Sequence, residues 1–161
     1  MQKILTLVVT IGIALCLAAC EEGAVYRNYT DFERPFWHKD SSAVFDFTIS
    51  DAGQPYNLYF LPRYTLEYPY YNLYVRYALT GPGNDTLLAE MHEANLMNPS
   101  TGEPLGKGIG DMFDHQVLLQ KNYQFADTGT YQIHITQYMR QDSLPAIPAA
   151  GFMVQQARRA E

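Results

Sequence analysis

The 161-residue chain is 47% hydrophobic and 14% aromatic, with 11 Lys and Arg against 17 Asp and Glu and a formal net charge of −6 at pH 7. No basic cluster longer than Arg158-Arg159 occurs, which argues against an electrostatic nucleic-acid binder. The length and apolar content suit one packed domain rather than a disordered chain.

Met1-Gln2-Lys3 is followed by an almost unbroken apolar run from Ile4 to Leu17, then by Ala18-Ala19-Cys20. A short basic start, an apolar middle and a small-residue end make a secretory signal peptide. The rival reading, a transmembrane helix, needs roughly 20 apolar residues; this run is shorter and is diluted by Thr6, Thr10 and Gly12. Cysteine directly after Leu-Ala-Ala resembles the lipobox of bacterial lipoproteins, in which the peptide is cut before the cysteine, the thiol takes a diacylglycerol and the new amino group is acylated. The expected parts are therefore a removed signal peptide at 1–19, an acylated N-terminus with an aromatic arm at 20–40, and one domain at 41–161. Each buried methylene of an acyl chain contributes about 0.8 kcal/mol, and more than one chain makes anchoring stable. Cys16 leaves with the signal and Cys20 carries lipid, so the mature domain has no thiol for a disulfide, a metal or nucleophilic catalysis. Loss of Lys3 takes the formal charge from −6 to −7.

In the arm, Glu21, Glu22 and Gly23 read as a solvated spacer, or alternatively as an acidic sorting signal. Tyr26, Tyr29, Phe32, Phe36 and Trp37 are too aromatic for a pure linker, so part of the arm docks on the domain. From Ala43 onward the hydrophobic period is two: Phe45, Phe47 and Ile49 alternate with polar neighbours, as do Tyr71, Leu73, Val75 and Tyr77, and Tyr131, Ile133 and Ile135. Weaker strands are predicted at 56–61, 86–92, 115–119 and 151–155. Turn-forming runs separate them at Asp51-Ala52-Gly53, Thr80 to Asp85 and Asn98 to Gly102. Seven or more short strands with few helix-favouring runs predict an all-β domain, a β-sandwich or jelly roll. Asp127-Thr128-Gly129-Thr130-Tyr131 opens the most regular strand and has the pattern of a tyrosine corner, which gives Tyr131 a structural role.

Catalytic chemistry is sparse. His38, His92, His115 and His134 are scattered with no His-x-His or His-x3-His pair, and no serine sits in a nucleophile elbow. Gly106-Lys107-Gly108-Ile109-Gly110-Asp111 lacks the Gly-Lys-Ser/Thr ending of a P-loop and the spacing of Gly-x-Gly-x-x-Gly. Its alternating glycines, Gly106, Gly108 and Gly110, permit a tight backbone path or the close approach of a neighbouring chain. Asp111 and Asp114 read as turn and solvation residues. No metal, no cofactor and no enzymatic activity are expected. Between Pro62 and Asn72, Arg63, Tyr64, Tyr68, Tyr70 and Tyr71 combine the residue types of binding hot spots; they suit core packing, protein contact or stacking on sugar rings.

Taken in order, Trp37, Phe45-Asp46-Phe47, Tyr56-Asn57-Leu58, Arg63, Tyr68-Pro69-Tyr70, Asn72-Leu73, Asp85-Thr86-Leu87, Gly106 to Asp111, Gly129-Thr130-Tyr131, Gln137 to Arg140 and Asp142 to Pro145 resemble the gliding motility lipoprotein GldH family of Bacteroidota. Two departures stand out: Glu103-Pro104-Leu105 replaces a usual tryptophan before the glycine segment, and Gly151 to Val154 lacks a usual arginine. The resemblance implies a non-enzymatic, lipid-anchored component of the cell envelope, placed in the outer membrane, that supports the gliding apparatus and type IX secretion through other envelope proteins. A carbohydrate-binding surface lipoprotein is the alternative. The contact surface is expected on turns carrying Arg63, Tyr68, Gly106, Gly108, Gly110 and Asp111.

Overall fold

The computed structural model describes residues 23–33 and 36–157. The described residues form strands and turns with no helix: β1 (Ala24–Asp31), β2 (Phe36–His38), β3 (Ala43–Ile49), β4 (Pro55–Thr65), β5 (Asn72–Thr80), β6 (Thr86–Asn95), β7 (Lys107–Ile109), β8 (Met112–Asp114), β9 (Val117–Gln124), β10 (Gly129–Gln137), β11 (Ser143–Pro145) and β12 (Ala149–Gln156). One sheet runs β1-β12-β4-β8-β7, with β9 also pairing β4; a second runs β3-β10-β5-β6; β11 and β2 pair at one end. All pairings are antiparallel. The all-β prediction is thus observed as a two-sheet packing around one core.

Alternation explains the inner faces. Phe45, Phe47 and Ile49 of β3, Leu73, Val75, Tyr77 and Leu79 of β5, and Tyr131, Ile133 and Ile135 of β10 are all buried in that core. Phe47 lies at its centre, with the rings of Tyr26, Phe125, Tyr131 and Phe152 between 5.3 and 6.0 Å away. Such ring pairs add about 0.5–1.5 kcal/mol each beyond area burial. The Tyr131 hydroxyl donates to the Asp127 carbonyl at 2.7 Å, the backbone bond of a tyrosine corner.

The stretch 20–40 is less separate than expected. From Ala24 to Asp31 it is a strand of the larger sheet, paired along its length with β12. Trp37 is buried, its ring stacked on Phe32 at 5.1 Å and its Nε1–H donating to the Ser41 carbonyl at 2.7 Å. The folded unit therefore includes β1 and Trp37 and does not begin at residue 41. Cys20, the expected lipidation site, lies outside the described residues.

Most predicted strands lengthen. Instead of ending at 61, β4 continues to Thr65, so Arg63 sits on a strand and not on a turn. Gly106 to Asp111 is not a loop but most of the β7–β8 hairpin, with Ile109 opposite Met112 and a two-residue connection at Gly110-Asp111. Gly110 takes the positive φ (70°) that the first position of a type II′ turn requires.

Candidate functional site

The outer face of the larger sheet carries the sequence-predicted residues that remain accessible. Register places Asp31, Ala149, Arg63, Asp114 and Lys107 in one row across β1, β12, β4, β8 and β7. Charge alternates along that row. Arg63 Nε and Nη2 donate to the two carboxylate oxygens of Asp114 at 2.7 and 3.0 Å, a bidentate pair. This pair raises the Arg63 pKa above its ordinary value, outweighing the opposing effect of partial burial. Asp114 is therefore an ion-pair partner rather than a mere turn residue. With both side chains about a third or more exposed, the pair contributes on the order of 1 kcal/mol or less; its larger effect is to fix the guanidinium in place. Tyr29, one row along from Asp31, holds the same group from the other side, its ring centroid 5.0 Å from Arg63 Cζ and 6.0 Å from Arg27 Cζ.

Beyond this platform the β7–β8 hairpin projects Ile109, which is 94% exposed, next to the exposed Met112 and Leu66. The Leu66 N–H donates to the Asp111 carbonyl at 3.1 Å and ties the hairpin to the end of β4. A shallow cavity of about 440 Å³ lies between Arg63, Lys107, Gly108, Ile109, Met112 and Asp114. An adjoining one of about 380 Å³ reaches Arg27, Tyr29 and His115. His115 is half-buried, and burial holds its pKa below the usual histidine value.

The glycines of this hairpin act inside the molecule. A methyl group on Gly108 would stand 2.1 Å from the Met112 carbonyl oxygen, and one on Gly106 2.7 Å from that of Asp114. The Gly106 N–H also donates to the Tyr64 hydroxyl at 3.0 Å, and that hydroxyl donates to the Leu96 carbonyl at 2.6 Å. Of the two readings of the alternating glycines, the tight backbone path accounts for Gly106 and Gly108.

Tyr68 is corrected by the structure. It is 3% exposed, packs in the core and donates its hydroxyl to the Asn72 carbonyl at 2.8 Å, so it offers no surface to a partner. Burial raises its pKa well above the usual tyrosine range. A second aromatic site, of which the sequence pointed only to Tyr70, opens instead on the outer face of the smaller sheet, where Tyr70, Tyr74, Met91, Tyr138, Met139 and Arg140 line a groove of about 440 Å³. The signal for it was present: Tyr74 alternates outward along β5, and Tyr138-Met139 directly follows β10. Among the described residues, no three His, Cys, Asp or Glu side chains gather as a metal site.

A family model for the GldH lipoprotein matches residues 24–154, from the first residue of β1 to within β12. The chain is 29% identical over 150 residues to the gliding motility lipoprotein GldH of Flavobacterium johnsoniae, covering 89% of this chain and 91% of that protein. It is 26% identical over 164 residues to the gliding motility lipoprotein GldH homolog of Christiangramia forsetii, covering 98% and 99%. Among solved structures, the infectious bursal disease virus VP2 subviral particle overlays 83% of this chain and 30% of that one, at 13% identity and a TM-score of 0.34.

Proposed function

This chain belongs to the GldH lipoprotein family, and we propose that it is a lipid-anchored, non-enzymatic envelope component that serves gliding motility and linked type IX secretion by holding a partner protein at the end of its sandwich farthest from the anchor. The observation that carries this reading is the position of the hairpin relative to the start of β1. Register runs from Ala24 beside Gln155 to Asp31 beside Ala149 and Arg63, and the hairpin lies beyond that end against Thr65. The eight residues of β1 span roughly 26 Å at about 3.3 Å each. Acylated Cys20 would be joined to Ala24 by a spacer of at most about 14 Å. The anchor then holds the Ala24 end near an outer-membrane surface, while Ile109 and the Arg63–Asp114 platform face away from it. An exposed apolar tip beside a fixed arginine and a tyrosine combines the anchor and rim of a protein contact.

The test places a photo-crosslinking amino acid at Ile109, or at Asp127 near the anchor end, in the full-length acylated protein in native cells. A defined envelope protein crosslinked from Ile109 and not from Asp127 supports the reading. Equal products from both positions, or none from Ile109, reject it.

The groove around Tyr74 and Tyr138 favours a second reading, carbohydrate binding, because its rings suit stacking on sugars. Loss of glycan binding on Tyr138→Ala supports it, and absence of glycan binding by the wild-type chain removes it.

A further inference from the structure

We propose that the groove on the outer face of the smaller sheet, read above as a sugar site and resting here on that reading, takes an acidic polysaccharide whose sugars carry carboxylates. Its two central rings are held side by side. The Tyr138 N–H donates to the Tyr74 carbonyl at 2.7 Å, and the Tyr74 hydroxyl donates to Glu93, which pins that ring along the sheet. Tyr138 is 60% exposed and leaves its ring open to stacking.

The charge around these rings selects the class of sugar. Arg140 lines the groove, and Arg76 lies on β5 directly opposite the groove residue Met91. Among the described residues the ion pairs are His38–Asp40, Lys39–Asp142 and Arg63–Asp114, so neither arginine has a carboxylate partner there. The carboxylates that β6 and β3 put on this face are engaged by neutral groups: Glu93 also accepts from Asn72 Nδ2 at 2.6 Å, and Asp46 accepts from Gln132 Nε2 at 2.8 Å. Two guanidiniums therefore stand ready for an external acid, each a planar fork of N–H donors that matches a carboxylate. Tyr74 and Arg76 are two residues apart on β5, roughly 7 Å. A sugar ring stacked on the tyrosine thus brings its own carboxylate or that of the next unit within reach of the arginine.

An acidic protein segment is the poorer occupant. Tyrosine, methionine and arginine also compose protein contacts, but those contacts have an apolar centre within a polar rim. Here the apolar groove sits at one end of the face. From it the outward residues of β10 run Thr136, His134, Gln132 and Thr130, alternating with buried Ile135, Ile133 and Tyr131. Hydroxyl, imidazole and amide groups in a row offer donors and acceptors to the hydroxyls of a sugar chain.

The test measures binding of polygalacturonate, alginate, dextran and poly-glutamate to the full-length acylated protein in non-ionic detergent, for wild type, Arg140→Gln, Arg76→Gln and Tyr138→Ala. Wild type is expected to hold at least one of the two polyuronates about tenfold or more tighter than dextran and poly-glutamate, the effect of one charge-assisted hydrogen bond. Each substitution should remove about that factor while the thermal midpoint stays unchanged. Dextran bound as tightly as the polyuronates overturns the acidic class and leaves the carbohydrate reading standing. Poly-glutamate bound as tightly shows that charge alone is read and overturns the proposal, as does polyuronate binding insensitive to all three substitutions. Binding of none of the four overturns both the proposal and the carbohydrate reading.

Discussion

Tyr29 lies against Gly151, and a methyl group on that glycine would stand 2.7 Å from Cδ1 and 2.8 Å from Cε1 of the ring. The contact joins β1 to β12 on the outer face and keeps the ring beneath the Arg63 guanidinium. Gly151→Ala should displace Tyr29 and cost about 1–3 kcal/mol, the usual range for inserting a methyl into a filled space. Denaturant unfolding of the detergent-solubilised protein measures this. Unchanged stability would mean that the ring swings aside freely and does not position Arg63.

The corner tyrosine separates a hydrogen bond from a cavity. Tyr131→Phe should lose about 0.5–1.5 kcal/mol with the bond to the Asp127 carbonyl, while Tyr131→Ala should lose about 3–5 kcal/mol by emptying the space beside Phe47 and Phe125. The same unfolding curves test both. Equal losses in the two variants would contradict the division of roles.

Much of this architecture was legible because β3, β5 and β10 each bury one face, and a period of two records that directly. In contrast, β12 escapes the rule: Ala149 to Val154 is buried throughout, so its alternation is erased. An edge position disguised β1, which mixes exposed and half-buried residues on both faces. At Arg63 the residue type suggested a contact, but its anchor Asp114 lies 51 residues away and could be paired with it only by the fold. Tyr68 misled for a related reason: tyrosine, arginine and proline compose both binding loops and the packed ends of sandwiches. Burial alone distinguishes them.

Histidine burial sets a pH dependence. Burial lowers the His115 pKa in the folded state, so folding favours the neutral ring. This contribution is complete above the unfolded value of about 6.5 and is lost as pH falls through the lower folded value. His92 shifts in the same direction through burial, opposed by Glu90 and Glu93. The thermal midpoint should therefore fall between neutral pH and about pH 5 less steeply in His115→Gln than in wild type. Parallel profiles would show that His115 is protonated without cost.

Cys20 should carry the lipid. Fatty-acid labelling is expected to disappear in Cys20→Ser, with the uncleaved precursor accumulating. Labelling equal to wild type would remove the anchor and, with it, the argument that the hairpin faces away from the membrane.

The hairpin surface is the proposed seat of a partner protein. Ile109→Asp puts a charge on the most exposed apolar side chain of that surface without touching the core, and such a contact typically costs more than tenfold in affinity when its apolar anchor is lost. The decisive measurement is quantitative co-isolation of envelope proteins with the full-length acylated chain, wild type against Ile109→Asp, at matched abundance and thermal midpoint. At least a tenfold loss of one specific partner is expected in the variant; recovery of that partner at the wild-type level would mean that the hairpin does not hold it.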